Sequence, residues 1–284
     1  MDVLAEGSAV TRRFGAFTAV SGADLTIAGG EVVGLIGGNG AGKTTLIRLL
    51  LGLLAPTGGS VRLFGSAPSL ETRRRVGYVP QTLGLYAGLT VAENWSFTAT
   101  AFRTTGIPMP ERISAWRNEL VAGLPLGAQR QVAFAIALSH GPELLVLDEP
   151  TSGVGPLGSA RLWEQIRHSA EQGAGVLVST HSMEEAGQCD RLVVMAAGKV
   201  VATGTVTDVI GGRQATQIHC DDVRRAFAVL DSAGLPVQLQ GGALRLARTN
   251  TAAASLLSQA GIAATVEMVP ANLEEAFVAI SATA

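Results

Sequence analysis

Short apolar runs rich in β-branched residues alternate with segments of helical periodicity in the amino-terminal part of the chain. The runs lie at Val32–Ile36, Val76–Val79, 144–147, 176–180 and 192–195. Short apolar runs bounded by polar residues or glycine are typical of strands that are buried on both faces. Such strands, alternating with helices, pack as a parallel sheet covered on both sides. The pattern therefore predicts a largely parallel α/β domain over residues 1–210.

The pattern changes after the glycine pair Gly211-Gly212. From about residue 216 the predicted order is strand, helix, two short strands, helix, strand and helix. The helices are predicted at 222–233, 251–260 and 272–280, the short strands about Gly241-Gly242, and the last strand at 264–269. This order resembles a small split β-α-β module. The sequence therefore predicts a small α+β carboxyl-terminal domain over residues 213–284, which we expect to be an accessory element for docking or dimer stabilisation.

Composition and charge narrow the functional classes. The 284 residues are 47% hydrophobic, and 21 basic side chains nearly balance 23 acidic ones. This balance gives no basic stripe for nucleic-acid phosphates, so we expect no nucleic-acid partner. We expect neither a signal peptide nor a membrane-spanning helix, because no apolar stretch has the required length. The two cysteines, Cys189 and Cys220, lack metal-ligand spacing, which favours a reducing compartment.

A glycine-rich segment directly after the strand Val32–Ile36 carries the clearest chemistry. Residues 37–44 read Gly-Gly-Asn-Gly-Ala-Gly-Lys-Thr, a complete G-x-x-x-x-G-K-[ST] phosphate-binding loop. Its glycines let backbone N–H groups face a phosphate, and the helix predicted over 44–54 adds its positive end. The loop predicts that Lys43 reaches the β- and γ-phosphates and that Thr44 binds Mg²⁺. The predicted nucleotide-binding residues are Gly37, Gly38, Asn39, Gly40, Ala41, Gly42, Lys43, Thr44 and Thr45.

Polar residues at the ends of three other strands complete this constellation. Asp148 and Glu149 follow the apolar run 144–147, an arrangement that predicts Asp148 as a Mg²⁺ ligand and Glu149 as the base for an attacking water. His181 follows the run 176–180, where a side chain can reach the γ-phosphate or the lytic water. Gln81 follows Val76–Val79 at another strand end. Taken alone, His181 and Gln81 are equally compatible with structural roles.

In this order, the motifs resemble the ATPase domain of ABC transporters from about residue 10 to residue 210. The resemblance implies a P-loop NTPase with an ABC-type helical subdomain, ATP hydrolysis as its activity, and ATP and Mg²⁺ as ligands. It implies that Phe14 stacks on adenine and that His181 is the switch histidine. It also implies that Gln81 senses the γ-phosphate, contributes to the Mg²⁺ site and touches the membrane subunit. The implied catalytic residues are Glu149, His181 and Gln81.

The same resemblance implies a function and partners. Residues 189–191, 198–200, 204–205 and 272–277 look most like the drug-exporting branch. The implied function is to power export of a drug-like or lipid-like molecule through a separate multi-span membrane permease. The chain would then lie peripherally at the cytoplasmic face of the cell membrane, paired with a second ABC ATPase chain. Two alternatives stay open: a soluble ABC-type ATPase acting on ribosomes or DNA, and a weakly hydrolysing regulatory subunit.

The chain departs from the family pattern at the signature peptide, which in the family binds the γ-phosphate of a partner chain. The family's Leu-Ser-Gly-Gly-Gln falls on Leu124, Pro125, Leu126, Gly127 and Ala128. Pro125 has neither a hydroxyl nor an N–H, so we expect weaker nucleotide-driven closure of a homodimer. Gly155 replaces an aspartate that couples the two sites in the family, and the shorter segment between Gln81 and Leu124 implies a shortened helical subdomain. We therefore expect a different ATPase chain with a full signature to complete the site.

Overall fold

The computed structural model describes residues 2–104, 106–247 and 252–281. The chain divides into two compact units, Met1–Val200 and Val201–Ala284. Within the described ranges, no helix combines the length and the hydropathy that crossing a bilayer requires. The elements up to β9, which runs across the unit boundary, are β1 (Val3–Phe14), β2 (Phe17–Ala28), β3 (Val32–Ile36), α1 (Lys43–Leu50), β4 (Gly58–Leu63), α2 (Leu70–Arg73), β5 (Val76–Val79), α3 (Val91–Phe102), α4 (Glu111–Ser114), α5 (Leu126–Leu138), β6 (Leu144–Asp148), α6 (Pro156–Glu171), β7 (Gly175–Thr180), α7 (Met183–Ala186), β8 (Arg191–Ala196) and β9 (Lys199–Gly204) itself.

A six-stranded sheet in the order β5-β6-β7-β3-β8-β9 forms the centre of the first unit. The first five of these strands pair in parallel. Every residue of β3, β6 and β7 is buried, as expected for strands covered by helices on both faces. The predicted parallel sheet is confirmed. Its carboxyl edge brings together the segments that follow β3, β5, β6 and β7, which contain the predicted site residues.

The helix predicted over 44–54 is shorter in the structure, where α1 ends at Leu50. Gly52 takes a left-handed φ of 65° just after that end, and a Cβ there would lie 2.4 Å from Cβ of Pro68. A glycine in this conformation just past the last helical turn is a common way for a helix to stop. Residues 51–54, which the sequence pattern predicts as helical, therefore lie outside α1.

A second, three-stranded sheet in the order β2-β1-β4 was not predicted from the apolar pattern. Its strands are antiparallel, and β1 and β2 form a hairpin whose tight turn contains Gly15 at φ 60°. Phe14 pairs with Phe17 across the closed end of this hairpin. Both aromatic rings therefore lie at the same tip.

The helical subdomain predicted from the resemblance consists of α3, α4 and α5, with a short 3₁₀ turn at Val121–Gly123. These elements share a separate core that includes Val91, Trp95, Ile113 and Val132. A capping box fixes the start of α3, because Thr90 and Glu93 each accept the other's backbone N–H. The segment between β5 and β6 therefore folds around its own small core.

The second unit contains a four-stranded antiparallel sheet in the order β11-β12-β10-β13. β12 lies between β10 and β11, which is the arrangement of a split β-α-β module. The start of the helix predicted at 251–260 lies outside the described residues. The elements of this unit are α8 (Val206–Ile210), β10 (Gln214–Cys220), α9 (Val223–Ser232), β11 (Val237–Gln240), β12 (Ala243–Leu246), α10 (Ala252–Gln259), β13 (Ala264–Pro270) and α11 (Leu273–Ser281).

The boundary between the units lies at Val200/Val201. The sequence pattern predicts it later, at 210–213, where the glycine pair interrupts the chain. The short helix α8 packs on α11, so residues 206–210 fold with the second unit. Packing, which the linear pattern does not show, accounts for this difference.

Candidate functional site

The phosphate-binding loop connects β3 to α1 at the carboxyl edge of the central sheet. Gly40 and Gly42 have φ angles of 77° and 101°, a conformation that glycine adopts without strain. A Cβ on Gly37 would lie 2.6 Å from the carbonyl oxygen of Met195, and one on Gly42 2.5 Å from that of Ala19. The backbone angle therefore favours glycine at residue 40, close packing requires it at residue 37, and both apply at Gly42. No side chain caps the start of α1, so its first N–H groups are available to an anion.

Lys43 lies across the loop with its side chain 5% exposed. Its Nζ donates to the carbonyl oxygens of Gly37 at 2.7 Å and Gly38 at 3.3 Å. The same Nζ lies 3.7 Å from Oε1 of Glu149. This geometry places a buried positive charge between the loop and the end of β6.

Asp148 and Thr44 face each other at the predicted Mg²⁺ position. The hydroxyl of Thr44 donates to Oδ2 of Asp148 at 2.8 Å, and Ser179 donates to Oδ1 at 2.5 Å. A hydroxyl beside a carboxylate is an oxygen donor set that suits Mg²⁺. Among the described residues no group of three or more His, Cys, Asp or Glu side chains could hold a metal alone, so phosphate oxygens of a nucleotide would have to complete the shell.

Glu149 connects the remaining polar residues of the site. Its side chain is 12% exposed, and Oε1 lies 3.7 Å from Nδ1 of His181 as well as from Nζ of Lys43. Gln81 donates from Nε2 to Oε2 of Glu149 at 3.2 Å. Two residues from two other strand ends, Gln81 and His181, and the loop lysine thus meet around the carboxylate of Glu149.

The cavity beside the loop has a volume of about 430 Å³. Residues 39–45 line it together with Ala19, Gln81, Glu149 and Phe17. Phe14, which the resemblance implies as the adenine-stacking residue, is not among these lining residues. Its ring lies 4.6 Å from the guanidinium carbon of Arg12, and Phe17 from the facing strand takes the place beside the loop. Sequence reasoning missed Phe17, because the β1–β2 hairpin that brings its ring beside the loop was not predicted.

The residues of the signature peptide do not line this cavity. Pro125 takes the N-cap position of α5, with no side-chain cap, and Leu126 begins the helix. The side chain of Leu126 is 45% exposed, whereas Leu124 is buried. Leu126 packs against Gly153, since a Cβ on Gly153 would lie 2.8 Å from its Cδ2. Gly153 belongs to the loop that follows Glu149, and Gly155 in the same loop caps α6.

Three residues that sequence reasoning missed support the site from behind. Ser179 accepts the N–H of Glu149 at 3.0 Å while it donates to Asp148. Arg130 donates from Nη1 to the carbonyl oxygens of Glu149 and Pro150, each at 2.9 Å. Burial lowers the pKa of Arg130, and the nearby Glu149 partly offsets this shift. Ser179 follows the apolar residues 176–178 of β7, which was the available indication for it, whereas Arg130 lies between Gln129 and Gln131 and gave no such indication.

Glu185 is the third of these supporting residues. Its Oε2 accepts the hydroxyl of Thr180 at 2.6 Å, and its Oε1 accepts the hydroxyl of Thr151. Thr180 directly precedes His181, and Thr151 lies two residues after Glu149. Glu185 therefore links the loops that carry the two reactive side chains.

Taken together, the parallel sheet and the glycine-rich loop at its carboxyl edge define a phosphate-loop nucleotide-binding fold. A family model described as ABC transporter matches residues 20–152. The probable multidrug ABC transporter ATP-binding protein YbhF of Escherichia coli is 37% identical over 220 residues, which are 73% of this chain and 38% of that protein. The Nod factor export ATP-binding protein I of Paraburkholderia xenovorans is 37% identical over 225 residues, 75% of this chain and 73% of that protein.

A solved structure of the ATP-binding subunit of an ABC transporter is similar in fold, with a TM-score of 0.68 and 30% identity over 72% of this chain and 91% of that one. The chain belongs to the family of ABC transporter ATP-binding proteins. It spans 38% of the length of YbhF, so it corresponds to only part of that relative.

Proposed function

We propose that this chain binds and hydrolyses ATP to power export of a drug-like or lipid-like molecule through a separate multi-span permease. It would act peripherally at the cytoplasmic face of the cell membrane. The names of its relatives support export, because one is a probable multidrug transporter protein and the other exports Nod factor. The observation that carries the proposal is the position of Glu149, whose carboxylate lies next to Lys43, Gln81 and His181.

The contacts of each side chain indicate how the site would work. Lys43 and the N–H groups at the start of α1 neutralise the β- and γ-phosphates, and this charge stabilisation is the main task in phosphoryl transfer. Glu149 accepts a proton from the attacking water. His181, 59% exposed at the end of β7, would hydrogen-bond the γ-phosphate, and Gln81 would orient the water. Phe17 and Phe14 lie at one hairpin tip, so either ring is placed to stack on adenine.

Thr44 and Asp148 would hold Mg²⁺, with Gln81 as the third predicted contributor. When bound, the ion would neutralise charge on the β- and γ-phosphate oxygens. Ser179 holds Asp148 from the side opposite Thr44, so the carboxylate stays directed towards the loop. Removal of Mg²⁺ by a chelator should therefore abolish turnover.

An exposed aromatic pair supports docking to a permease. Tyr86 and Phe97 stack edge-to-face with ring centroids 5.0 Å apart, and they are 53% and 52% exposed. Tyr86 follows Gln81 in the loop after β5, and Phe97 belongs to α3 of the helical subdomain. Exposed aromatic clusters of this kind mark protein interfaces. A permease segment on this pair would adjoin the loop that carries Gln81.

The partner in the nucleotide-dependent dimer is the second part of the proposal. Pro125 at the N-cap of α5 leaves no hydroxyl for a γ-phosphate held by another chain. A different ATPase chain with a full signature would supply this hydroxyl to the site described above. Recovery of only this chain and a permease from the native host, with full activity, would contradict the heterodimer. A weakly hydrolysing regulatory subunit is less well supported, because a binding module does not need Glu149 so closely held.

Steady-state Mg²⁺-dependent ATPase activity of the purified chain tests the proposal. Glu149→Gln should lower kcat at least about 100-fold while ATP still binds, because only the proton acceptor is lost. Glu164→Gln, at an exposed position on α6, is the matched control and should keep wild-type activity. Equal rates for wild type and Glu149→Gln, both with and without a full-signature partner chain, would refute hydrolysis at this site.

A further inference from the structure

Arg130 is a buried cation in the helix that begins at the signature peptide. It is 6% exposed, and its neighbours Val132, Ala133 and Phe134 on α5 are buried apolar residues. Its Nη1 donates to two successive carbonyl oxygens, those of Glu149 and Pro150, each at 2.9 Å. A single guanidinium nitrogen therefore holds the backbone directly after the proposed base.

The backbone of Glu149 has a strained conformation that its surroundings must stabilise. Its φ is +51°, an uncommon conformation for a residue with a side chain. Its N–H is held from β7, by the hydroxyl of Ser179 at 3.0 Å and the carbonyl oxygen of Ser179 at 3.2 Å. Its own carbonyl is held from α5 by Arg130. The direction of the carboxylate follows from this backbone conformation, so contacts that hold the backbone also position the carboxylate.

Packing alone does not account for an arginine at this position. Nε of Arg130 is buried and has no hydrogen-bond partner among the described residues. Burial of a charged group with an unsatisfied donor is unfavourable, and an apolar side chain would fill the same space. The two carbonyl contacts after Glu149 are therefore the features that an arginine provides and an apolar residue cannot.

We propose that Arg130 is a positioning residue for Glu149, which it acts on through the backbone carbonyls of Glu149 and Pro150. The inference rests on the proposed ATP hydrolysis at this site. Arg130 belongs to the helix that starts at Pro125, so it also connects the base to the surface that would meet a second ATPase chain in the proposed dimer.

Kinetics of Arg130→Gln and Arg130→Lys in the full chain test the inference. The glutamine variant should lower kcat about 30-fold, which corresponds to about 2 kcal/mol, and change KM and ATP affinity less than about threefold. Arg130→Lys retains the charge on a shorter chain and should recover part of the loss, with kcat at least about threefold below wild type. Arg75→Gln, which breaks an exposed bidentate pair with Glu143, is the matched control and should keep wild-type kcat.

Two further measurements separate positioning from a general structural role. In a Glu149→Gln background, Arg130→Gln should change the single-turnover rate less than about twofold, because the residue through which it acts is already removed. Amide hydrogen exchange of residues 148–156 should be faster in Arg130→Gln than in wild type and unchanged in Arg75→Gln.

The exchange measurement needs no ATPase activity, so it decides the inference even where the proposed function fails. Wild-type kcat in a folded Arg130→Lys or Arg130→Gln variant would overturn the inference. So would unchanged exchange at 148–156, or a full 30-fold loss in the Glu149→Gln background. If Arg130→Gln does not fold, Arg130→Lys gives the kinetic and exchange results.

Discussion

The hydroxyl of Ser179 forms hydrogen bonds with both acidic residues of the site, Asp148 and Glu149. It donates to Oδ1 of Asp148 at 2.5 Å and accepts the N–H of Glu149 at 3.0 Å. Ser179 is fully buried, so water cannot replace either bond without entering the sheet. One small residue on β7 thereby sets the position of the proposed metal ligand, the last residue of β6, and of the proposed base directly after it.

Ser179→Ala should lower kcat about tenfold and raise the Mg²⁺ concentration for half-maximal activity several-fold, because a lost buried hydrogen bond costs about 1–3 kcal/mol. A Mg²⁺ titration of ATPase activity measures both effects. Ser169→Ala, which removes a hydroxyl bonded within α6 to Gln165, is the control and should leave the titration unchanged. An unchanged Mg²⁺ requirement in Ser179→Ala would show that Asp148 is held by other means.

The imidazole of His140 connects the end of α3 to the start of β5. His140 stacks on Phe102 with ring centroids 3.9 Å apart, and its Nε2 lies 3.1 Å from the carbonyl oxygen of Val76. Burial lowers the pKa of His140 below its ordinary value of 6.5, and the bond to Val76 only partly offsets this. His140 is therefore neutral in the folded protein at neutral pH, with Nε2 as the donor.

The lowered pKa of His140 makes stability dependent on pH. The stabilising contribution is fully present above the unfolded-state pKa near 6.5. Below that pH the imidazole of His140 is protonated in the unfolded chain and neutral in the folded chain. The free energy of unfolding therefore falls as the pH decreases, until the folded-state pKa is reached. Between about pH 7.5 and about pH 5.5, His140→Asn should lose less stability than wild type in urea titrations. His168→Asn, exposed on α6, should follow wild type; an identical pH slope in His140→Asn would contradict the assignment.

In the second unit, α11 begins with a buried charged cap. Glu275 is 1% exposed, accepts the N–H of Asn272 at 2.7 Å and forms two bonds with Arg245 at 2.7 and 3.0 Å. Asn272 in turn accepts the N–H of Glu275 at 2.8 Å. This reciprocal cap gives a physical reason for Asn272 and Glu275 in the segment 272–277, which reads Asn-Leu-Glu-Glu-Ala-Phe.

Glu275→Ala should destabilise the second unit by about 3 kcal/mol, because Arg245 would keep a partly buried charge without its partner. Its neighbour Glu274 is exposed and bonds only to Gln238 among the described residues, so Glu274→Ala is a closely matched control with a small expected effect. Hydrogen exchange of peptides from 214–246 reports on this unit directly. Equal exchange rates in both variants would show that the cap contributes little.

The elements also show what the pattern of residues can and cannot predict. β3, β5 and the phosphate loop follow from apolar runs and a motif that are local in the chain, and the structure contains them at the predicted residues. β1 and β2 were not predicted, because neither is a continuous apolar run. Polar and apolar residues are mixed along both strands, and repeated register shifts interrupt their pairing. The contact of Arg130 with Glu149 could not be predicted, because it joins segments that only tertiary packing brings together.

For the whole molecule, the proposed function makes the variant signature a determinant of how strongly ATP would draw two chains together. Pro125 and Leu126 stand where the family has a serine and a glycine, so one hydroxyl donor is missing at the start of α5. A hydrogen bond from this position to phosphate contributes about 1.5–3 kcal/mol. A homodimer carries this deficit in both of its sites.

The double substitution Pro125→Ser with Leu126→Gly should strengthen ATP-dependent dimerisation about tenfold or more, because a donor to the partner's phosphate is restored. Sedimentation in a Glu149→Gln background, where ATP persists, measures the dimer constant. Leu53→Ser, another exposed leucine far from the signature in sequence, serves as control and should have no effect. Dimerisation no stronger than in the parent would show that Leu-Pro-Leu-Gly does not limit closure.

The left-handed backbone of Gly153 restricts how this sequence can change during evolution. Gly153 has a φ of 75°, so any side chain there is strained whatever space its neighbours leave. Cδ2 of Leu126, which would lie 2.8 Å from a Cβ at residue 153, belongs to a side chain that is 45% exposed and can move away. Descendants of this chain should therefore keep glycine at 153 while residue 126 varies, and combinatorial libraries should place their diversity at residue 126.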